Sequence, residues 1–353
     1  MQARFIAPQA AEWGEAIATS EWDAYQLPAY LELWARFEEA TPAAFCTKVN
    51  GKVTCVIPLV LKELGRNSGS CELHSPYGYP GMLWATDAQA QEVFDVLLHF
   101  GRAARELGAS LAFLRMHPLQ RTPAVLPPDT SMVYHGDVVV MDLSSGLDEM
   151  WKGFRKSHRY DIRKLTEAGF KTAFDEWELL GEFVRLYNDT MSRIHAGQFY
   201  RFPEKFFQRL MFQLPENIHL AAVRAPGGEV AAAALFLSGK KVLSYYLSAS
   251  DPRFNRWAPT KLLIYDMAVW GKGKGYRSLL LGGGVGASHD SLYEFKAGFS
   301  ALTKPFHTVR MILDRSGYEA LSRAAGHEPN VERDLSAKYF PPFLASTGGG
   351  DGD

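Results

Sequence analysis

Apolar and polar positions change period along this chain in an order that occurs twice. From Pro28, the residues Leu31, Trp34 and Phe37 fall on one stripe and predict a helix over 28–40. Residues 43–49 and 52–61 alternate with period two, which predicts paired strands. The Asn50-Gly51 between them is a strong hairpin signal, because both turn positions take positive φ. A strand near 70–74, a loop rich in Gly and Pro, a long amphipathic helix over 87–107 and strands at 110–115 and 138–141 complete the first half. The second half opens with helices at 148–168 and 176–193 and a helix from Pro203 to about Leu214. Strands at 218–224 and 229–238 flank Pro226-Gly-Gly228, and a third runs over 241–249. Pro259, at a favoured first helical position, opens a helix to about Lys274, and Ser278 to Leu281 reads as a strand.

Three landmarks recur in the same order, roughly 170 residues apart. Tyr25-x-x-Pro28 with Leu33 matches Tyr200-x-x-Pro203 with Leu210, and Gly51-Lys-Val53 matches Gly228-Glu-Val230. The helix stop Gly108 matches Gly275, each followed by a strand. Each unit therefore reads as helix, antiparallel hairpin, third strand, and a helix crossing to a further strand. The expected fold is α/β (α+β), with a first unit over 1–145, a second over 146–317, residues 318–345 packing back on the first, and a disordered tail over 346–353.

An antiparallel meander joined to a βαβ crossover resembles the acyl-CoA N-acyltransferase (GNAT) fold, and two in tandem resemble the Fem-type aminoacyltransferases. Three stretches sharpen the likeness. Ser157-His-Arg-Tyr-Asp-Ile-Arg-Lys-Leu-Thr-Glu-Ala-Gly169 resembles that family's basic helix. Leu279-Leu-Leu-Gly-Gly-Gly284 followed by Leu292-Tyr-Glu-Phe-Lys-Ala-Gly-Phe299 is the most specific pairing in the chain. Ser75-Pro-Tyr-Gly-Tyr-Pro-Gly81 is the third. Lacking a long helical insertion, the chain resembles the compact FemX type, without the coiled-coil arm of the staphylococcal FemA type.

The resemblance implies an enzyme that makes an amide bond. Its donor is an aminoacyl-tRNA, and its acceptor is a small molecule or a UDP-linked peptidoglycan precursor of cell-wall synthesis. It implies a catalytic role for Lys296, with Phe295 beside it. Aminolysis of an aminoacyl ester builds an oxyanion, which a lysine ammonium stabilises; the same ammonium can instead hold a phosphate of the terminal adenosine. A ribose hydroxyl leaves, so neither metal nor cofactor is called for. The alternative for Lys296 is a solvent-facing residue capping a short helix near Gly298.

The basic stretch carries its own geometry. Lys152, Arg155, Lys156, Arg159 and Arg163 recur at three and four residues, so on one helix they share a face opposite Trp151, Phe154, Ile162 and Leu165. Arg155, Lys156, Arg159 and Arg163 are the candidates for tRNA phosphates; an ordinary solvated face has the same pattern. Candidates for the acceptor are Arg36, Arg193 and Arg201 as phosphate ligands, and Tyr77, Tyr79 and Trp84 as loop aromatics that stack on a base or sugar. The lysine that many Fem members carry after the early aromatic position is absent, leaving Arg36 as substitute. The aspartate that some place after the first unit's Gly-Pro is absent as well, leaving Asp87 as nearest acid. Tyr245 and Tyr246 alternate faces, one toward the core and one toward a cleft.

A CoA enzyme of this fold cradles pyrophosphate with backbone N–H groups in a glycine-bearing loop. Here that stretch reads Arg256-Trp-Ala-Pro-Thr-Lys261, with proline and lysine in the glycine slots. The competing reading is nonetheless an N-acyltransferase using acyl-CoA or an acyl carrier, in polysaccharide or secondary metabolism. A non-catalytic binding protein on the duplicated fold is a third.

Composition adds boundaries. Of 353 residues, 47% are hydrophobic and 22% charged, an ordinary globular mixture. Lys+Arg 38 against Asp+Glu 39 gives a net charge of −1, so a nucleic-acid partner needs a local basic patch, and no DNA partner is expected. The acidic start, with Glu12 and Glu15, does not read as a signal peptide, and no apolar run is long enough to span a bilayer, so the expected location is the cytoplasm. Three cysteines suit a reducing compartment. Counting outward from Asn50-Gly51 sets Cys46 opposite Cys55, within disulfide reach, and Cys71 with His74 would complete a zinc set; three buried free thiols are the plainer reading. Ser288-His289-Asp290 lists a triad's residue types, but sequence neighbours cannot face one another as a triad requires, so Ser288 or Asp290 reads as a helix cap. Gly271-Lys-Gly-Lys-Gly275 ends a helix and is no phosphate loop.

Overall fold

A computed structural model describes residues 1–64, 69–85 and 92–345. Asp87, the first residues of the helix expected at 87 and the tail over 346–353 lie outside the described residues. The described chain divides into two compact units, one built from Met1–His135 and residues 305–345, the other from Gly136–Lys304. Both divisions fall upstream of the expected 145/146 and 317/318, and each lies inside a strand.

The first unit opens with β1 (Gln2–Ile6), α1 (Ala11–Thr19) and α2 (Pro28–Phe37). The meander follows as β2 (Thr41–Val49), β3 (Lys52–Leu64) and β4 (Ser70–His74), with the short β5 (Leu83–Trp84) beside β3. Helix α3 (Glu92–Glu106) then crosses to β6 (Ala109–Arg115), which runs parallel to β4. Alternation along β2 and β3 sends side chains to two cores. Trp13, Leu31, Ala44, Cys46, Val56 and Val60 pack together, with α1 and α2 contributing. Phe45, Cys55, Ile57, Leu97 and Phe100 form another cluster with α3. Each large apolar side chain so buried contributes about 1.5–3 kcal/mol.

The hairpin turn has the expected form, with Asn50 at φ 51° and Gly51 at φ 80°. The expected facing of Cys46 and Cys55 is corrected. A bulge leaves Thr54 unpaired, so Thr47 pairs with Cys55 and Cys46 with Val56. One residue of slip turns a strand's side chains to the other face, and the two thiols lie in different cores. All three cysteines are free and buried. The bulge is pinned by a 2.8 Å hydrogen bond between the hydroxyls of Thr47 and Thr54.

The second unit takes in β7 (Thr130–Asp142) from Gly136 on, then α4 (Leu147–Gly153), α5 (Lys156–Glu167), β8 (Lys171–Phe174), α6 (Leu180–Arg193) and α7 (Glu204–Gln213). Its meander is β9 (Ile218–Arg224), β10 (Val230–Ser238) and β11 (Val242–Ser250). Helix α8 (Thr260–Gly273) crosses to β12 (Ser278–Gly282), which is parallel to β11, and α9 (Ser291–Ala297) follows. Strand β7 pairs antiparallel with β12, and β8 with β9. Helices α5 and α8 pack on each other, and α6 lies against β10 and β11. Helix α8 begins at Thr260 with Pro259 as its cap, one residue later than expected.

The chain returns to the first unit through β13 (Thr303–Ile312), antiparallel to β6, and ends in α10 (Arg315–Ala324), α11 (Val331–Ser336) and α12 (Pro342–Ala345). Leu111, Ile312, Tyr318, Leu335, Phe340 and Phe343 form the core beneath this last segment. Each unit thus contains a three-stranded meander, a crossover helix, a parallel strand and a further antiparallel strand beyond it. Among the described residues no helix is long and apolar enough to cross a membrane.

Candidate active site

The expected single helix over 148–168 is two helices. Phe154 is extended (φ −69°, ψ 144°) and Arg155 likewise (ψ 144°), which separates α4 from α5. The cause is Phe154, 2% exposed and packed edge-on against Phe299 and Tyr265 in the core; keeping it there turns the chain out of the helix. The five-cation stripe therefore does not lie on one helical face. Lys152 belongs to α4 and Arg155 is the cap of α5. Arg159 donates to the carbonyls of Lys152 (2.8 Å) and Phe154 (2.6 Å), closing the exposed end of α4. Arg163 lies over the Trp151 ring at 5.4 Å, and Lys164 over Trp257 at 4.5 Å. Lys156 and Arg163 are exposed.

Lys296 is 8% exposed, not the solvent-facing cap of the alternative reading. Its position follows from how β11 and β12 part. Their parallel ladder ends at Ser244 and Leu280. Beyond it, β11 continues with Tyr245, while β12 turns at Gly282 (φ 77°). Helix α9 projects Lys296 to this place, where Nζ donates to the Gly283 carbonyl at 2.5 Å and lies 6.0 Å from the Tyr245 ring centre. Burial pushes the ammonium down to about 8, against a partial opposing pull from Asp290. Asp290 is itself placed by the loop: its carboxylate accepts from Tyr293 N (2.8 Å), capping α9, and from Val285 N (2.9 Å). Gly284 permits this, since a Cβ there would lie 2.2 Å from Asp290 Oδ1 and from the Ser288 carbonyl. We expect Gly284→Ala to displace Asp290 and cost about 1–2 kcal/mol through the lost cap, measured as a fall in the urea midpoint.

Phe295 is half-buried, against His158 at 5.7 Å and Phe299 at 5.6 Å. Tyr245 is half-buried beside Lys296 and Tyr246 is in the core. Arg193, the last residue of α6, and Arg201, on the segment between α6 and α7, are both exposed. In the first unit, Arg36 is exposed on α2. Tyr77 packs on Trp34 (5.2 Å), and its carbonyl accepts from the Tyr30 hydroxyl (2.7 Å). Tyr79 meets Tyr25 and Phe306 edge-on. Trp84 lies in β5, not in a loop, and its ring is buried in the core beside α3, so it offers no free face for stacking. Of the second-unit candidates, Arg155 is tied to α9, the helix that carries Phe295 and Lys296.

Two features escaped the sequence reading. His158, 4% exposed, donates from Nε2 to the Phe295 carbonyl (2.9 Å). Tyr160, 64% exposed, sits between Lys156 and Arg163 on one face of α5, at spacings of four and three. The sequence triad Ser288-His289-Asp290 is a capping loop, with His289 stacked on Tyr293. A spatial one exists at Asp175, His219 and Ser238, with His219 Nδ1 3.1 Å from the carboxylate and Nε2 3.2 Å from the hydroxyl. Ser238 has no exposure, so no substrate carbonyl reaches it, and the set is a tie from the exposed Asp175, just past β8, to β9 and β10.

The stretch expected to face a CoA pyrophosphate is a short helical turn over Pro252–Trp257, with Ala258 left-handed (φ 52°) and Pro259 capping α8. Lys261 turns inward to Asp161 at 2.6 Å.

Residues 152–296 match the family model of the acetyltransferase (GNAT) domain. Among solved structures, the chain is similar to FemX at 13% identity, covering 91% of this chain and 99% of that one with a TM-score of 0.69. It is similar to the L-PGS structure from Bacillus licheniformis at 14% identity, covering 89% of this chain and 95% of that one, TM-score 0.55. The C-terminal domain (DUF2156) of a protein provisionally named a lysylphosphatidylglycerol synthetase, from Agrobacterium fabrum, matches at 15% identity over 94% of this chain and 98% of that one, TM-score 0.54. No curated protein sequence matches the chain. The protein has a mixed α/β fold with a GNAT domain, and its two units repeat one strand-and-crossover order.

Proposed function

We propose that this protein transfers an aminoacyl group from the 3′ end of a tRNA to an amine, forming an amide. The observation that carries the reading is Lys296, an ammonium group held in a nearly dry position where β11 and β12 part. In the reaction, the acceptor nitrogen attacks the ester carbonyl carbon. The carbonyl electrons move onto oxygen, and the resulting oxyanion meets the Lys296 ammonium. The attack has formed the C–N bond; collapse of the oxyanion restores the carbonyl and breaks the bond to the ribose oxygen. That oxygen leaves as a hydroxyl, taking up the proton the amine gives away. Lysine has three N–H donors, and one is used by Gly283. Low local dielectric strengthens the pull on a developing negative charge. Within the second unit, the exposed Arg193 and Arg201 are the cations offered to a phosphorylated acceptor such as a UDP-linked peptidoglycan precursor.

Two places in the second unit favour a tRNA donor. The loop before α8 offers Pro259, with no N–H, where a CoA pyrophosphate needs backbone donors. Helix α5 offers Lys156, Tyr160 and Arg163, an exposed ring flanked by two cations, which suits a stacked base between phosphates. FemX and a lysylphosphatidylglycerol synthetase, named for an aminoacylated product, share the fold.

Titration of the full chain with aminoacyl-tRNA and, separately, with acetyl-CoA tests the donor. Binding of the tRNA is expected to weaken with salt. Replacing both Lys156 and Arg163 by alanine is expected to flatten the log K against log salt slope by about 1.4–1.8. Tyr160→Ala is expected to cost about 1–3 kcal/mol of affinity. Saturable binding of acetyl-CoA, with acetylated product and no response to tRNA, would establish the CoA-dependent N-acyltransferase instead.

A further inference from the structure

We infer that His158 is a positioning residue for Lys296: its imidazole, together with the start of α5, clamps the short helix that carries the lysine. The inference rests on the reading of Lys296 as the group that meets the reacting carbonyl.

Helix α9 is seven residues long, too short to hold its own shape in water. Its terminal carbonyls call for partners from outside, and the start of α5 supplies them at three points, one of which, the Phe295 carbonyl, also accepts from the Gly298 N–H at 3.2 Å. Arg155 donates to the Glu294 carbonyl (2.9 Å) and to the Glu294 carboxylate (2.6 Å). The Arg155 backbone N–H donates to the Gly298 carbonyl (2.8 Å). Between them, His158 Nε2 donates to the carbonyl of Phe295, the residue before Lys296.

His158 is the buried member of this set. Its ring lies edge-on to Phe299 at 4.6 Å and beside Phe295 at 5.7 Å. Gly298 makes the approach possible, because a Cβ there would lie 2.3 Å from the imidazole Cε1 and Nε2. Burial holds the ring on its neutral side, with Lys261 and Arg155 adding to that and the Phe295 carbonyl and Asp161 opposing it. Nδ1 is buried without a hydrogen-bond partner, so the proton sits on Nε2, pointed at the carbonyl. A buried polar ring with one orphaned nitrogen is a costly way to fill a core. Its return here is the fixed orientation of the carbonyl adjoining Lys296. The part of the basic stretch that reads from sequence as facing RNA thus holds α9 instead.

The test uses the full chain and two variants, with thermal melting as the check on folding. His158→Leu keeps an apolar side chain of similar size and removes the donor. His158→Gln keeps an N–H near the position of Nε2. The first readout is the rate at which trinitrobenzenesulfonate labels Lys296, followed by peptide mass mapping, which needs no activity. The second is kcat and KM for transfer from aminoacyl-tRNA. We expect His158→Leu to label at Lys296 at least tenfold faster than wild type, and to lose at least tenfold in kcat with KM within twofold. We expect His158→Gln to return both toward wild type. Labelling of folded His158→Leu at the wild-type rate overturns the inference. Faster labelling restored by glutamine, in a protein that in wild-type form transfers nothing from tRNA, upholds the clamp and overturns only the reading of the reaction.

Discussion

Replacing Lys296 by methionine is expected to slow transfer by about 10²–10³-fold, while making the protein more stable at neutral pH. The loss of rate is that of one preorganised donor to an oxyanion in a water-poor site. The gain in stability follows from burial. The unfolded chain holds the lysine proton up to its ordinary 10.5, whereas the folded protein releases it at about 8. Between those values the unfolded state binds more protons, so stability rises with pH across that window. Below about 8 the folded protein carries the whole desolvation cost, on the order of 3 kcal/mol for a shift of this size. Methionine carries none of it. Urea titrations at pH 7 and pH 10 should show the variant ahead by about 1–3 kcal/mol at pH 7, with the gap closing at pH 10. A variant less stable than wild type at pH 7 would show that the ammonium is structurally satisfied and not held against a cost. The same titration predicts that wild-type transfer declines above pH 8, as the cation is lost.

The second large effect runs the other way and lies in the first unit. His74, at the end of β4, sits 2.7 Å from Glu38 and 3.3 Å from Glu72, all three largely buried. Burial by itself lowers the imidazole, but hydrogen bonds and charge from the two glutamates more than reverse this and lift it to about 9. The folded protein therefore holds a proton that the unfolded chain gives up near 6.5. The stabilisation is fully present below 6.5 and is lost as pH rises through 9. A shift of this size corresponds to about 3 kcal/mol. His74→Gln is expected to lose at least about 2 kcal/mol at pH 6, since the two carboxylates also lose their cation. At pH 9.5 the loss should be small. Equal losses at both pH values would mean that the ring contributes packing and not charge.

These two residues also show how far the sequence could be read. Lys296 stood out because a glycine-rich strand end and a Phe-Lys-x-Gly-Phe run adjoin it. His74 was noticed only as a possible metal partner of cysteine, because one of the carboxylates that hold it, Glu38, arrives from the distant end of α2, while Glu72 is its neighbour two residues back on β4. The duplication was legible because Asn50-Gly51, Gly108 and Gly275 punctuate local structure wherever they stand. The hairpin register was not: the bulge at Thr54 depends on a hydroxyl pair formed only after the strands meet, and it moved Cys46 away from Cys55. Helical spacing alone joined α4 to α5. The break at Phe154 is a tertiary event, driven by burial of one ring against Phe299 and Tyr265. With that break the cationic stripe separates into residues that donate to carbonyls of the fold, Arg155 and Arg159, and the exposed Lys156 and Arg163, which flank Tyr160 on α5. Trp84 was misplaced for a similar reason, since pairing with β3 draws a two-residue strand out of what reads as loop.

The central claim is that Lys296 serves aminoacyl transfer from tRNA. The most direct measurement is a single-turnover reaction at pH 7 with charged tRNA bearing mixed amino acids and a UDP-linked pentapeptide or simpler amine acceptors. Wild type and Lys296→Met are compared, and products are read by mass. The account predicts an amino-acid mass added to an acceptor by wild type, at a rate reduced about 10²–10³-fold in the folded variant. Equal rates in the two proteins, or an acyl mass gained from acetyl-CoA and none from tRNA, would contradict it.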